Sequence, residues 1–146
     1  MLARCSDARV QRIVDAFESL SEADVAQLDT LYTPDAFFKD PFNEVQGTAA
    51  ITRIFSHMFV ALQAPRFVVH EVVVQGEQCF LTWDFLFRMP RLGRAEQRIR
   101  GCSQLKLAAD GRIAWHRDYW DAAEELYEKL PLLGSLMRWL KKRANG

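Results

Sequence analysis

The sequence predicts an α+β fold in which N-terminal helices pack into the concave side of a curved antiparallel sheet. Three observations lead there. Apolar residues recur at helical spacing from Val10 to Leu62. From Arg66 to Trp120 the chain becomes a series of segments rich in β-branched and aromatic residues, divided by turn signals. These strands are apolar on both faces, so each face of the sheet needs a cover.

Val10, Ile13, Val14 and Phe17 form one helical stripe, with Ser6 or Asp7 available as its N-cap. Ser21 can open a short second helix bearing Val25, Leu28 and Leu31, which Thr33-Pro34 ends. Ala36 to Asp40 reads as a short strand stopped by Pro41. Thr48 caps a third helix carrying Ile51, Ile54, Phe55, Met58, Phe59 and Leu62, and Pro65 closes it. The strands Arg66–Gln75 and Gln78–Met89 meet at Gly76-Glu77, a hairpin signal. Pro90 to Gly93 is a turn, Glu96–Ala108 a third long strand, Asp110-Gly111 another turn, and Arg112–Trp120 the last strand. In the strand from Gln78, Cys79, Leu81, Trp83, Phe85 and Phe87 alternate with Phe80, Thr82, Asp84, Leu86 and Arg88. The helices can cover one of these faces, so a partner subunit, making a homodimer, is expected to cover the face with Leu81, Trp83, Phe85 and Phe87.

After Asp121 the pattern is helical again to Lys129; Pro131 interrupts, and Leu132, Leu133, Leu136, Met137 and Leu140 line one face of a final short helix. Arg138, Lys141, Lys142 and Arg143 make its end basic. We read this helix as docking on the sheet or pocket mouth, its cations suiting the helix dipole; the other reading is an amphipathic segment touching a membrane surface.

With 146 residues, 49% hydrophobic and 26% charged, the chain fits a single domain, 1–146, able to bury a core. Nineteen basic and nineteen acidic residues cancel, so no overall field draws the chain to nucleic acid. No stretch approaches the length of a membrane span and the N-terminus lacks a signal-peptide layout, so a cytoplasmic location is expected. Cys5, Cys79 and Cys102 have neither disulfide nor metal-ligand spacing. No phosphate loop, nucleophile elbow or metal cluster is present, so any chemistry is expected to need no cofactor.

The candidates for chemistry are three aspartates among apolar residues. A carboxylate in such surroundings is expensive to ionise and is therefore paired, protonated or used. Asp40 shares a strand face with Ala36 and Phe38; it can act as a general base or simply cap a turn. Asp84 either points into a cavity or pairs with Arg98 or Arg100 on the neighbouring strand. Asp118 shares a face with His116 and Trp120, which makes an acid/base pair of His116 and Asp118 conceivable. If all three acids converge, at least one must stay protonated near neutral pH.

Val10-Gln11-Arg12-Ile13-Val14, the strand ending Asp40-Pro41, Gly47-Thr48-Ala49-Ala50-Ile51, and Gly111-Arg112-Ile113 through Asp118-Tyr119-Trp120-Asp121 together resemble the nuclear transport factor 2-like superfamily. That group includes ketosteroid isomerases, SnoaL-like polyketide cyclases and limonene epoxide hydrolases. The resemblance implies a cone-shaped sheet around a pocket for a small hydrophobic molecule. In the isomerases Asp40 matches the base, while Ile13 and Ser103 stand at or near the two oxyanion donors. In the epoxide hydrolases Asp118 and Asp84 match two aspartates, Thr82 replaces an arginine, and Phe38 and Asp40 replace the water-holding tyrosine and asparagine. On this reading Asp40, Asp84 and Asp118 are catalytic. Phe38, Phe42, Phe55, Met58, Phe59, Phe80 and Leu86 line the ligand site, with Ser103, His116 and Trp120 beside them. The function implied is a small-molecule pocket with cofactor-free isomerase, cyclase or hydrolase chemistry. The alternative is a non-catalytic ligand-binding or dimerisation module with a vestigial pocket.

Overall fold

Asp7 opens the first helix, α1 (Ala8–Glu18), by accepting from the backbone N–H groups of Arg9 (3.0 Å) and Val10 (3.5 Å). The computed structural model describes residues 5–127 and 131–145. Arg9 turns its guanidinium back onto Asp7 (2.9 Å) and reaches Glu77 (2.7 Å), which ties the helix start to a distant hairpin. The Arg9 hydrogen bond, above all, holds the Asp7 carboxyl down at about 2. A depressed folded-state pKa contributes stability that is complete above the ordinary value of 3.8 and is lost as pH falls toward about 2. Asp7→Ala is therefore expected to lower the melting temperature at neutral pH and to shrink its fall across that acid window. Equal acid sensitivity in the variant would count against this assignment.

A 3₁₀ segment, Glu22–Thr30, follows, held by a capping box between Ser21 and Asp24. It ends before the proline that was expected to stop it. Pro34 lies inside β1 (Tyr32–Lys39), where the pairing register shifts between Tyr32 and Phe37. A proline lacks the N–H a ladder needs, and such an irregularity is where a strand tolerates one. β2 (Glu44–Gln46), α2 (Thr48–Ala61), β3 (Gln63–Gln75), β4 (Gln78–Arg88), β5 (Gln97–Leu107) and β6 (Ile113–Tyr119) complete the sheet and the second helix. Gly76, at φ +60°, makes the β3–β4 turn in a conformation that disfavours side chains. Beyond it come the single-turn α3 (Ala122–Glu125) and α4 (Pro131–Asn145).

The sheet corrects the expected architecture. Its strand order is β2-β1-β6-β5-β4-β3, an open arrangement with β2 and β3 at the edges and no closure into a cone. It is also mixed: β1 runs parallel to β6, with Phe38 opposite His116 and Lys39 opposite Arg117. Hairpin signals reveal only sequential, antiparallel neighbours. The β1–β6 contact joins strands more than seventy residues apart, and no local pattern encodes it.

Strand parity then decides what faces inward. Cys79, Leu81, Trp83, Phe85 and Phe87 are buried and join the core, packing with Val10, Ile13, Val14 and Phe17 of α1 and with Ile51 and Phe55 of α2. Each fully buried aliphatic side chain here contributes roughly 1.5–3 kcal/mol. The face expected to need a partner subunit is thus covered by the chain's own helices. The opposite set, with Phe80, Asp84 and Leu86, is the one turned outward.

At the tail, Gly134 of α4 is buried. Leu136 and Leu140 are exposed rather than buried, while the side chains of Leu132, Leu133 and Met137 lie outside the described residues, as does Lys129.

Candidate functional site

Between the helices and the inner sheet face is a cavity of about 620 Å³. Phe17 of α1, Phe38 of β1, and Ile54 and Met58 of α2 form one side of it; Leu81, Trp83 and Phe85 of β4 form another. At its mouth Phe42 packs edge-on against Trp120 and Tyr127, with ring centroids 5.6 and 6.1 Å apart. Asn43, Arg53 and His57 add polar groups to the wall. The size and apolar character suit a small organic molecule.

One wall carries a continuous hydrogen-bonded chain. β6 alternates so that His116 and Asp118 both face inward, and the parallel β1 brings Tyr32 alongside. The Tyr32 hydroxyl lies 2.7 Å from His116 Nδ1, and His116 Nε2 lies 2.6 Å from Asp118 Oδ1. From β5, Ser103 Oγ donates to the same Asp118 oxygen at 2.5 Å, and from β4 the Trp83 indole N–H donates to Ser103 Oγ at 2.8 Å. With Asp118 ionised and His116 neutral, the donor directions are fixed. An ionised carboxylate only accepts, so Nε2–H and the Ser103 hydroxyl donate to it. The neutral imidazole then accepts at Nδ1 from Tyr32, whose hydroxyl keeps its proton because burial, and secondarily the Asp118 charge, push its pKa well above the usual value. Phe38 and Phe17 press edge-on against the His116 ring, and Tyr32 stacks on it, which fixes its orientation.

Both donors to Asp118, His116 and Ser103, use Oδ1. Among the described residues Oδ2 has no hydrogen-bond partner, and Asp118 lines the cavity. Its side chain keeps 16% of its surface exposed, so it is in contact with solvent. The arrangement is a carboxylate held in place by one oxygen and available by the other.

The other aspartates are placed differently. Asp40 is on the cavity wall, yet its Oδ1 accepts from the backbone N–H groups of Phe42 (2.8 Å) and Asn43 (2.7 Å) and from the Asn43 amide (3.1 Å). That is a turn cap. Asp84 is on the outward face, 3.2 Å from His70 Nε2 and 3.9 Å from Arg98. The three-acid cluster does not form, because Asp84 has the parity of Phe80 and Arg88 rather than of Leu81 and Trp83. For the same reason Phe80 and Leu86 do not line the cavity, and Phe59 packs at the edge of the core instead. Phe38, Phe42, Phe55, Met58, Ser103, His116 and Trp120 do line it. Tyr32 and Trp83 are members of the hydrogen-bonded chain that the sequence did not single out.

Neither strand cysteine is set up as a nucleophile. Burial pushes the Cys79 thiol up to about 12 and raises that of Cys102. Among the described residues no group of histidine, cysteine and acid side chains has the geometry of a metal site.

The profile of the SnoaL-like domain family matches residues 10–116. Among curated proteins no match is found. Solved structures share the fold at low identity. A Catenulispora acidiphila hypothetical protein with a ketosteroid isomerase-like fold, in complex with trimethylamine, is 13% identical, with a TM-score of 0.70 over 84% of this chain and 92% of its own. An LEH-like epoxide hydrolase of M. tuberculosis is 19% identical, at 0.69 over 94% and 99%. A SnoaL-like polyketide cyclase assigned in Shewanella putrefaciens is 19% identical, at 0.68 over 84% and 98%.

Proposed function

The chain belongs to the SnoaL-like domain family, and from that footing we propose that it binds a small, mostly apolar, oxygen-bearing molecule and acts on it by cofactor-free acid/base chemistry at Asp118. The observation that carries this reading is the Tyr32–His116–Asp118–Ser103 chain on the wall of an apolar cavity. A structural ion pair does not need a buried histidine and serine both serving one carboxylate oxygen, with a tyrosine behind the histidine and the second oxygen left free. With Oδ1 saturated, Oδ2 meets a ligand proton at a C–H beside a carbonyl, at a hydroxyl, or at a water. The His116 and Ser103 donors stabilise the carboxylate form before transfer, and Oδ2–H returns the proton afterwards. His116 and Tyr32 are positioning residues: they hold the carboxylate and fix the imidazole tautomer. Isomerisation, cyclisation and hydrolysis all draw on this one step.

Thermal-shift screening tests the ligand class. A ketone, lactone or epoxide that fits should raise the melting temperature, by about 2.7 kcal/mol of stabilisation at one hundred times its dissociation constant. A hydroxyl-bearing analogue of that ligand should bind roughly tenfold or more tightly than a hydrocarbon of the same shape, because only a donor serves the cavity's charged acceptor. Equal stabilisation by the hydrocarbon would remove Asp118 from ligand recognition.

A further inference from the structure

We infer that α4 is a peripheral membrane-binding element that lies in the plane of an anionic phospholipid surface. Leu136, Trp139 and Leu140 are spaced i, i+3, i+4 and so form one stripe of the helix. They are 50%, 54% and 46% exposed. A helix docked on its own domain buries that stripe; here it faces solvent. Arg138, Lys141 and Lys142 flank it on the other side of the helix, and the Arg143 guanidinium sits over the Trp139 ring at 5.4 Å.

The charge pattern selects the occupant. From Pro131 to Asn145 the helix has four cations and no carboxylate, which leaves a net charge of −4 on the rest of a chain that is neutral overall. An anionic surface attracts the helix and repels the body, so the field also orients the molecule. Two-fold pairing of this helix with the same helix of a second copy would bring like charges together beside the apolar stripe. A nucleic acid would use the cations but leave Leu136, Trp139 and Leu140 in water. A lipid interface uses both: the apolar stripe enters the acyl boundary, the indole sits at headgroup depth, and the cations meet phosphates. Among the described residues no helix is long and apolar enough to cross a membrane. At about 1.5 Å per residue α4 offers roughly 22 Å of length to lie along the surface.

The test is co-sedimentation of the full chain with vesicles of phosphatidylcholine alone and of phosphatidylcholine mixed with phosphatidylglycerol. Retention is expected on the mixed vesicles only, and raised salt should release it. Lys142→Gln with Arg143→Gln should weaken the partition about tenfold or more, since each cation near the surface adds to binding. Trp139→Ser, which leaves the charge unchanged, should weaken it as well. Circular dichroism and thermal melts of both variants confirm that the fold is intact. The inference is overturned if the wild type stays in the supernatant or binds phosphatidylcholine equally. It is also overturned if neither variant matters, if duplex DNA displaces the vesicles, or if Trp139→Ser instead breaks up an oligomer in vesicle-free solution. None of these outcomes depends on the cavity or on Asp118.

Discussion

Asp118→Asn should lower turnover by roughly two to four orders of magnitude while changing ligand affinity only a few-fold, the range typical of a lost general acid/base. The amide keeps the size and planarity of the carboxylate, and its oxygen can still accept from His116 Nε2 or Ser103, now 2.6 and 2.5 Å from Asp118 Oδ1. What it loses is the ability to take a proton. The effect therefore falls on the transition state and not on binding. Asp40→Asn makes the contrast. Its Oδ1 already serves the Phe42 and Asn43 amides, and an asparagine oxygen can do the same, so turnover should change little. Tyr32→Phe separates positioning from chemistry: it removes the donor to His116 Nδ1, frees the tautomer and should shift the pH profile of turnover without abolishing it. If Asp118→Asn retains wild-type turnover on a ligand found by thermal shift, the carboxylate is structural. If no ligand is turned over at all, and Asp118→Asn alters only affinity, the protein is a binder.

How far the sequence leads to this site can be judged from its members. His116 and Asp118 are readable, because two residues apart on a strand means one face, and both face the cavity. Their direct hydrogen bond is not readable, since spacing alone gives a shared face and no contact. Tyr32 is hidden for a different reason. It comes next to it only through the parallel β1–β6 pairing, a contact between distant segments, and the proline two residues later invites a helix-end reading. The fold class suffers from the same blindness: helices and strands follow from local periodicity, but the mixed, open strand order does not. Asp84 is a separate lesson. Alternation in β4 yields two sets of residues without saying which faces inward. The signal was available, because the set with Leu81 and Trp83 is wholly apolar and the set with Asp84 also contains Thr82 and Arg88. Burial of apolar area favours turning the first set inward.

Gly101→Ala should destabilise the protein by about 1–3 kcal/mol, the usual cost of overpacking, and lower its melting temperature by several degrees. Gly101 lies directly across from Trp83 in the β4–β5 ladder. A Cβ there would stand 2.4 Å from Cη2 of the indole and 2.7 Å from Cζ2 and Cζ3, distances that force something to move. The ring has little freedom to yield. Phe67 packs against it edge-on at 5.6 Å, and its N–H is bound to Ser103 Oγ at 2.8 Å. Either the strands part locally, or the indole swings toward the cavity and gives up Ser103. The second route connects a glycine outside the cavity lining to the chemistry: Ser103 loses the donor that orients it, and its hydroxyl is then free to turn away from Asp118. Turnover should fall along with stability, and indole fluorescence should change as Trp83 leaves its site. Trp83→Phe in the Gly101→Ala background makes room for the methyl group and should recover part of the stability. It should not recover the turnover, because phenylalanine has no N–H for Ser103. Additivity of the two substitutions in stability would show that residues 83 and 101 do not press on each other, and full recovery of activity in the double variant would show that the Trp83 N–H is not what orients Ser103.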